Sequence, residues 1–540
     1  MKRGELAAVL LFAAMTVLLF IGKAYHADEP LYLPAAWHIL EDPLHPFAFE
    51  LNYYGRNAPY REINNTPPLI MYVMAVGLKA TGGREWGMRL FFLPFDLAAA
   101  AGLFFLAARF LSKPLLPVLI VLASPAYWIN MAHLMPEKLV LAFGLWGLYG
   151  VVRWVEDGSP RTGAWYWASA GLMALATLSK YNAGVLLLAG AGYAVLRGSP
   201  WRRVAGWCCL GLSGLALYFL ADLTSGGRAP GAAWLVTRQA MDLPTSALSH
   251  RLRSLLAFLG GGTLVAAAWP FLAQRPSPRV LALLGAAVLF LFSPFLDIGP
   301  VRGVDRLTGI LLSVGSLWLF RVMLRPVPGD RARPGRTGQA LWLPWLLAGL
   351  AGVLLYWSVM ARTVLLMVPP AVFALATVLE GRLSHRRYAG LCLVSLVVTV
   401  LLGVSLAAVD YRYAASQRQV ASEVADRYLA KGRKAWCAGH WGLQYYLERA
   451  GARTLDSSRG GWDEARPGDI VIVPSVNTNI LRPNRRVFAN VTRVAVSSPI
   501  PLRLICASRC EGGFYSNVMG FLPFSLSLDP VDAHEFVEVL

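Results

Sequence analysis

Charge is scarce in this chain. Only 15% of its 540 residues are Asp, Glu, Lys or Arg, while 56% are hydrophobic. A soluble domain carries about a quarter charged residues, so a string of soluble domains is excluded and long lipid-buried segments are indicated. Cysteine is sparse too, with six in all. Cys208, Cys209 and Cys392 lie inside apolar runs as packing residues. No Cys-x-x-Cys pair suggests a zinc site. Cys437, Cys506 and Cys510 fall in the C-terminal part, where a Cys506–Cys510 disulfide is open if that part lies outside the cytoplasm. Acidic residues are outnumbered, 31 against 50 basic, for a net charge of +19. The basic excess collects in short loops between apolar runs, and no nucleic-acid module is recognisable, so nucleic acid is excluded as a partner. Repeats are lacking, and the one biased tract is the basic, Pro-rich loop 325–338.

What is present is a succession of apolar runs near the length of a membrane span, about 20 residues. They lie at 5–22, 89–110, 114–130, 137–152, 164–179, 182–197, 203–221, 255–273, 280–297, 304–322, 340–358, 363–379 and 388–409. The first, after Met1-Lys2-Arg3, reads as an uncleaved span rather than a signal peptide. With Lys2 and Arg3 inside, alternate connections such as Arg109–Lys113, Arg197–Arg203 and Arg382–Arg387 each carry two or more basic residues, and the opposite turns carry fewer. This alternation places the N-terminus in the cytoplasm and the C-terminus outside. Two outer connections are long, 23–88 and 222–254, the second holding Arg228, Arg238, His250, Arg251 and Arg253. Loops of that length point to function or disorder. Within the first, 30–40 and 67–80 read as helices at the membrane surface.

Beyond about residue 415 the pattern changes. Lys434–Ala438, Ile470–Val473 and Leu502–Ala507 read as strands, and His440–Ala450 as a short helix ending at Gly451. Asn490-Val-Thr is a glycosylation sequon. The fold class expected is an all-α polytopic membrane domain of about 13 transmembrane helices over residues 1–412, with a small extracytoplasmic α/β C-terminal domain over 413–540.

Three outer-face segments hold residues that could do chemistry. In His26-Ala-Asp28-Glu29-Pro-Leu-Tyr32, a carboxylate could take the proton of an acceptor hydroxyl as it attacks an anomeric carbon. The same residues could equally be an acidic helix start. Asn64-Asn-Thr66-Pro-Pro-Leu69 opens a helix, with Thr66 able to cap it. His133-Leu-Met-Pro-Glu137-Lys138 brings a second carboxylate to the same face, or is a polar interfacial turn. Arg56, Arg61, Lys180, Arg302, Arg306 and Arg362 share that face. They could stabilise a phosphate leaving group, or be cations snorkelling at span ends. His26, Asp28, His133 and Glu137 could converge on a divalent ion, although two loops of ligand-type residues form no metal motif. No metal or other cofactor is therefore assigned.

The order of these motifs resembles the GT-C membrane glycosyltransferases, in particular the branch of the lipid A aminoarabinose transferases and protein O-mannosyltransferases. The resemblance rests on Asp28-Glu29-x-x-Tyr32 after a first span, Pro67-Pro68-Leu69 at a helix start, Glu85 and Arg89 one turn apart, Met135-Pro-Glu137, Leu178-Ser-Lys180, and Arg362–Pro370. It covers most of residues 1–410 through motifs of a few residues each. The resemblance implies transfer of a sugar from a polyprenyl-phosphate donor to a lipid, glycan or protein acceptor on the outer face of a bacterial-type inner membrane, usually with inversion. Asp28 is then the catalytic candidate with Glu29 and Glu137 beside it, Lys180 and Arg362 are phosphate-side cations, and Tyr32 and Thr66 belong to the substrate site. The aminoarabinose branch usually has Lys before Pro-Pro-Leu, where this chain has Thr66, which removes one expected phosphate contact. The alternative is a secondary transporter. Transporters keep ionisable groups near the bilayer midplane, whereas here Asp96 is almost the only acidic residue well inside a run.

Overall fold

The computed structural model describes residues 3–64, 66–157, 162–224, 243–297, 299–324, 338–477, 479–482, 488–507 and 510–540. The basic loop 325–338, apart from its last residue, and most of the second long outer connection, with Arg228 and Arg238, lie outside the described residues.

All thirteen apolar runs are largely helical, though not all as single rods. Among the described residues six helices are long and apolar enough to cross a membrane, or up to seven with one bent pair. The chain is an integral membrane protein. The remaining runs form shorter helices, such as Gly184–Leu196, Pro278–Leu291 and Gln339–Leu355. Run 114–130 is broken at Ser124, which accepts a hydrogen bond from the Tyr127 amide and is followed by Pro125. That is a helix-start pair placed in the middle of an apolar run. Run 255–273 is two helices, Leu248–Gly262 and Leu264–Ala273, meeting at 87°. Extended backbone at Thr263 makes the corner.

In the connection 23–88, helices Glu29–Glu41 and Leu69–Thr81 occur close to where the sequence places them. A small hairpin lies between them, β1 (Glu50–Asn52) against β2 (Asn57–Pro59). Helix Leu69–Thr81 starts differently from expectation: Pro68 is its N-cap, without a side-chain cap, so Thr66 does not cap it.

The last apolar helix, His385–Arg427, runs 43 residues without interruption, about 65 Å at 1.5 Å per residue. Its first half is the final apolar run. Its second half turns Val420, Ala421 and Val424 against a five-stranded sheet. The sheet holds β3 (Ala435–Cys437), β4 (Arg453–Thr454), β5 (Ile470–Pro474), β6 (Phe488–Val496) and β7 (Asp532–Val539) in the order β4-β3-β5-β7-β6. β3 pairs in parallel with β4 and β5, and β7 antiparallel with β5 and β6. β5 is apolar throughout and buried at every position, as a central strand covered on both faces must be. Leu502–Ala507 is not a strand: it makes only isolated bridges at Arg503 and Ile505. It opens a folded segment that carries the Cys506–Cys510 disulfide.

Close helix crossing depends on small residues. A Cβ on Gly315 would lie 1.8 Å from the Ala267 carbonyl oxygen, whereas one on Gly285 would meet nothing within 4 Å. Gly315→Ala is expected to destabilise the fold by roughly 1–3 kcal/mol or more, as overpacking does. Gly285→Ala is expected to be neutral, and thermal denaturation of both variants in detergent checks the pair.

Candidate active site

The site is assembled at the start of the long connection after the first apolar helix. Ala27 adopts a left-handed φ of 52°, which puts Asp28 and Glu29 on opposite sides of the chain. Glu29 points inward and is fully occupied. Its carboxylate accepts from the His26 amide at 2.9 Å and the Leu134 amide at 2.8 Å, and it pairs with Arg89 at 3.4 Å. It is a clamp between the first loop and the 133–137 turn. Asp28 points the other way, is about a quarter exposed, and receives a hydrogen bond from Arg362 Nη1 at 2.5 Å. Burial by itself would raise the Asp28 carboxyl, but Arg362, and then Lys180, outweigh it and hold the carboxyl below its ordinary value.

Glu137 begins helix Glu137–Glu156 after Pro136. One of its oxygens accepts from Lys180, and the other is buried without a hydrogen-bond partner among the described residues. Lys180 lies just past the C-terminus of helix Thr162–Ser179. Burial lowers its ammonium, with Glu137 opposing. The structure thus gathers Asp28, Glu137, Lys180 and Arg362 into one group of alternating charge. Beside it, Tyr32 Oη lies 3.4 Å from the Thr66 hydroxyl.

A cavity of about 570 Å³ opens from this group. Thr66, Lys180 and Arg362 line its polar end, and Val185, Leu188, Phe219 and Leu355 are among its apolar walls. The cations Arg56, Arg61, Arg302 and Arg306 do not line it. Arg56 is 61% exposed and faces Glu62 at 3.9 Å. Arg61 faces Asp222 at 3.6 Å. Arg302 forks onto Asp305 and reaches Ser525, while Arg306 pairs with Asp297.

Behind Glu29 lies a buried network of which the sequence singled out only His26 and His133. Lys23 pairs with Asp410, and the two side chains are 0% and 1% exposed. Asp410 also receives the Tyr515 hydroxyl and lies 3.0 Å from His26 Nε2 and 3.2 Å from His133 Nε2. The two imidazoles stack with centroids 4.4 Å apart. Burial, and then the neighbouring Lys23, push His133 down to about 3, so it is neutral at physiological pH. His26, Glu29 and His133 hold ligand-type atoms within 4.8 Å of one another and are the described residues that could take a metal ion. Lys23 and Arg89 already bring positive charge to this cluster. Asp28 and Glu137, the other carboxylates considered for a metal, are turned to Arg362 and Lys180 instead.

His440, at the start of the C-terminal helix Trp441–Ala450, is also at the site. It is buried against Tyr53 and Tyr54, at centroid distances of 5.0 and 5.5 Å. Burial lowers it to about 3, against the pull of the nearby Asp28.

A family model described as dolichyl-phosphate-mannose-protein mannosyltransferase matches residues 65–221. The resemblance to the GT-C membrane glycosyltransferases is borne out over that segment, which holds Thr66, Glu137 and Lys180. A search of the curated proteins finds no match. Among solved structures, ArnT from Cupriavidus metallidurans bound to undecaprenyl phosphate aligns at 14% identity over 87% of this chain and 93% of its own, with a TM-score of 0.42. The oligosaccharyltransferase AglB from Archaeoglobus fulgidus, in complex with an inhibitory peptide and a dolichol-phosphate, aligns at 13% identity over 83% of this chain and 64% of its own, with a TM-score of 0.45.

Breaking one partner of a buried ion pair strands the other charge, typically at a cost of about 3–5 kcal/mol. Asp410→Asn is therefore expected to lower the thermal midpoint far more than Glu62→Gln, whose carboxylate is exposed. Differential scanning of the purified variants gives the comparison.

Proposed function

We propose that this chain transfers a sugar from a polyprenyl-phosphate donor to an acceptor hydroxyl on the extracytoplasmic face, with inversion and with Asp28 as general base. The observation that carries the reading is the cavity whose apolar walls end in Lys180 and Arg362, each already paired with a carboxylate. A polyprenyl chain fits the apolar part, and its phosphate fits the two cations. In the proposed displacement the acceptor oxygen bonds to the anomeric carbon, and its proton passes to Asp28. The bond from that carbon to the phosphate oxygen breaks, and the polyprenyl phosphate leaves with the electron pair. Lys180 and Arg362 stabilise the charge that develops on it. An arriving phosphate draws Arg362 away from Asp28 and so leaves the carboxylate free to act. Glu137, held through one oxygen, keeps the other for a sugar hydroxyl of the donor. No cofactor enters this scheme.

The topology proposed with it has thirteen spans, the N-terminus in the cytoplasm and the division at 412/413, with the sheet-bearing C-terminal domain outside. A bacterial-type inner membrane fits this arrangement, and the acceptor is a lipid, a glycan or a protein.

Transfer from a panel of labelled polyprenyl-phosphate sugars in proteoliposomes, with an acceptor extract, tests the proposal. Asp28→Asn is expected to lower kcat by about 10²–10⁴-fold, the usual contribution of general base catalysis, with donor binding retained. Lys180→Ala is expected to raise the donor KM. Turnover that survives in Asp28→Asn would remove Asp28 as the base, and absence of turnover with every donor would favour a transporter.

The pH profile gives an independent check. With its carboxyl held below the ordinary value, Asp28 stays ionised through mildly acidic pH, and kcat/KM falls only as pH drops through that lowered value. In Arg362→Gln burial becomes the dominant influence and raises the carboxyl. The acid limb of the normalised profile is then expected to move to higher pH.

A further inference from the structure

Arg362 enters the site from the first turn of a helix. That turn, Ala361–Val364, opens the 22-residue helical span Ala361–Arg382 and follows irregular backbone at 358–360. Such backbone has no ladder of its own, so its buried polar groups must find partners elsewhere. They find them on one loop of the C-terminal domain. Asn517 Oδ1 accepts from the Val359 amide at 3.0 Å and the Ser358 hydroxyl at 2.9 Å, and the Asn517 amide donates to the Val359 carbonyl at 2.9 Å. The Ala361 amide donates to the Phe514 carbonyl at 3.0 Å. Asn517 is buried, and its remaining polar groups are used too. Its Nδ2 donates to the Thr245 carbonyl at 3.1 Å, and its carbonyl lies 3.1 Å from His250 Nε2.

Two residues earlier in the same loop, Tyr515 faces the other half of the site. Its hydroxyl binds Asp410 and lies 2.9 Å from His26 Nε2, and His26 is two residues before Asp28. One four-residue stretch, Phe514–Asn517, therefore holds the backbone beside Arg362 with one end and the network beside Asp28 with its middle. The loop is pinched at its base. The Gly513 amide donates to Leu522 and the Leu522 amide to Glu511, and a Cβ on Gly513 would stand 1.9 Å from the Gly520 carbonyl oxygen. The Cys506–Cys510 disulfide closes the turn just before it.

We propose that the loop Gly513–Gly520 of the C-terminal domain is a strap that sets the separation of Asp28 and Arg362, with Asn517 and Tyr515 as positioning residues for the transfer reaction. This rests on the function proposed above. It gives the C-terminal domain a direct part in a site whose base and phosphate-side cations come from the membrane part of the chain. Packing alone would not require every polar atom of Asn517 to be used, with two of the four on the residues just before Arg362.

The test compares Asn517→Ala, Tyr515→Phe and the milder Ser358→Ala with wild type in proteoliposomes. Hydrogen exchange is followed in parallel on peptides covering 24–30 and 356–364. Asn517→Ala is expected to speed exchange in 356–364, to lower kcat at least tenfold, and to move the acid limb upward. Of the charged and titratable groups facing Asp28 (Arg362, Lys180, His440, Tyr32, Tyr53 and Tyr54), only Arg362 is expected to be displaced in this variant. Tyr515→Phe is expected to speed exchange in 24–30, and Ser358→Ala to act in the same direction as Asn517→Ala but less. Unchanged kcat, acid limb and exchange in a folded Asn517→Ala protein would overturn the strap. If Asn517→Ala does not fold, the same null result in Ser358→Ala and Tyr515→Phe does so. Wild type without turnover counts against the proposed function, whereas the exchange data still decide whether the loop holds the two flanks.

Discussion

A lysine ammonium shut away from water must be given a carboxylate, and Lys23 finds its own 387 residues further on, at Asp410. The pair joins the end of the first apolar helix to the point where the last helix leaves the apolar part of the fold. Neither charge can be removed without stranding the other. Much of the site's geometry follows from this contact. His26 and His133 stack on each other and both reach Asp410, which brings the loop after the first apolar helix and the 133–137 turn side by side. Glu29 then ties the two together through amides on both. With these fixed, Asp28 and Glu137 are left facing a common space, where Arg362 and Lys180 meet them.

The resulting group contains two carboxylates and two cations, arranged as two ion pairs at the mouth of an apolar cavity. Fixed charges of this kind need little reorganisation when a charged group arrives. In the proposed reaction a donor phosphate exchanges one set of partners for another without desolvating new cations. The C-terminal domain belongs to this arrangement through His440 on one side and the 513–520 loop on the other.

Asp28, Glu137, Lys180 and Arg362 were legible in the sequence because each is a polar residue just outside an apolar run, on the face that the loop charges mark as external. Arg56, Arg61, Arg302 and Arg306 carry the same local signal, yet they serve Glu62, Asp222, Asp305 and Asp297 instead. Asp28 and Glu29 are adjacent and chemically alike, and only the left-handed turn at Ala27 sends one to Arg362 at the cavity and the other into a clamp. Tyr515 and Asn517 lie in a segment whose one strand-like stretch pairs only at isolated bridges, so nothing local announced that they would reach the membrane part. The Cys506–Cys510 bond was open in the sequence only on condition that this part of the chain lies outside the cytoplasm.

The sequence by itself determined that the chain is helical and membrane-embedded, because span length and apolar content are local quantities that lipid reads directly. It also determined the strands at Ala435–Cys437 and Ile470–Pro474 and the helix at Trp441–Ala450, whose patterns are complete within a few residues. Tertiary structure alone decided where apolar runs break or bend, as at Ser124 and Thr263, and which cation meets which carboxylate. Those outcomes depend on distances between residues far apart in the chain, and an ion pair exists only where folding brings its two charges within a few ångströms.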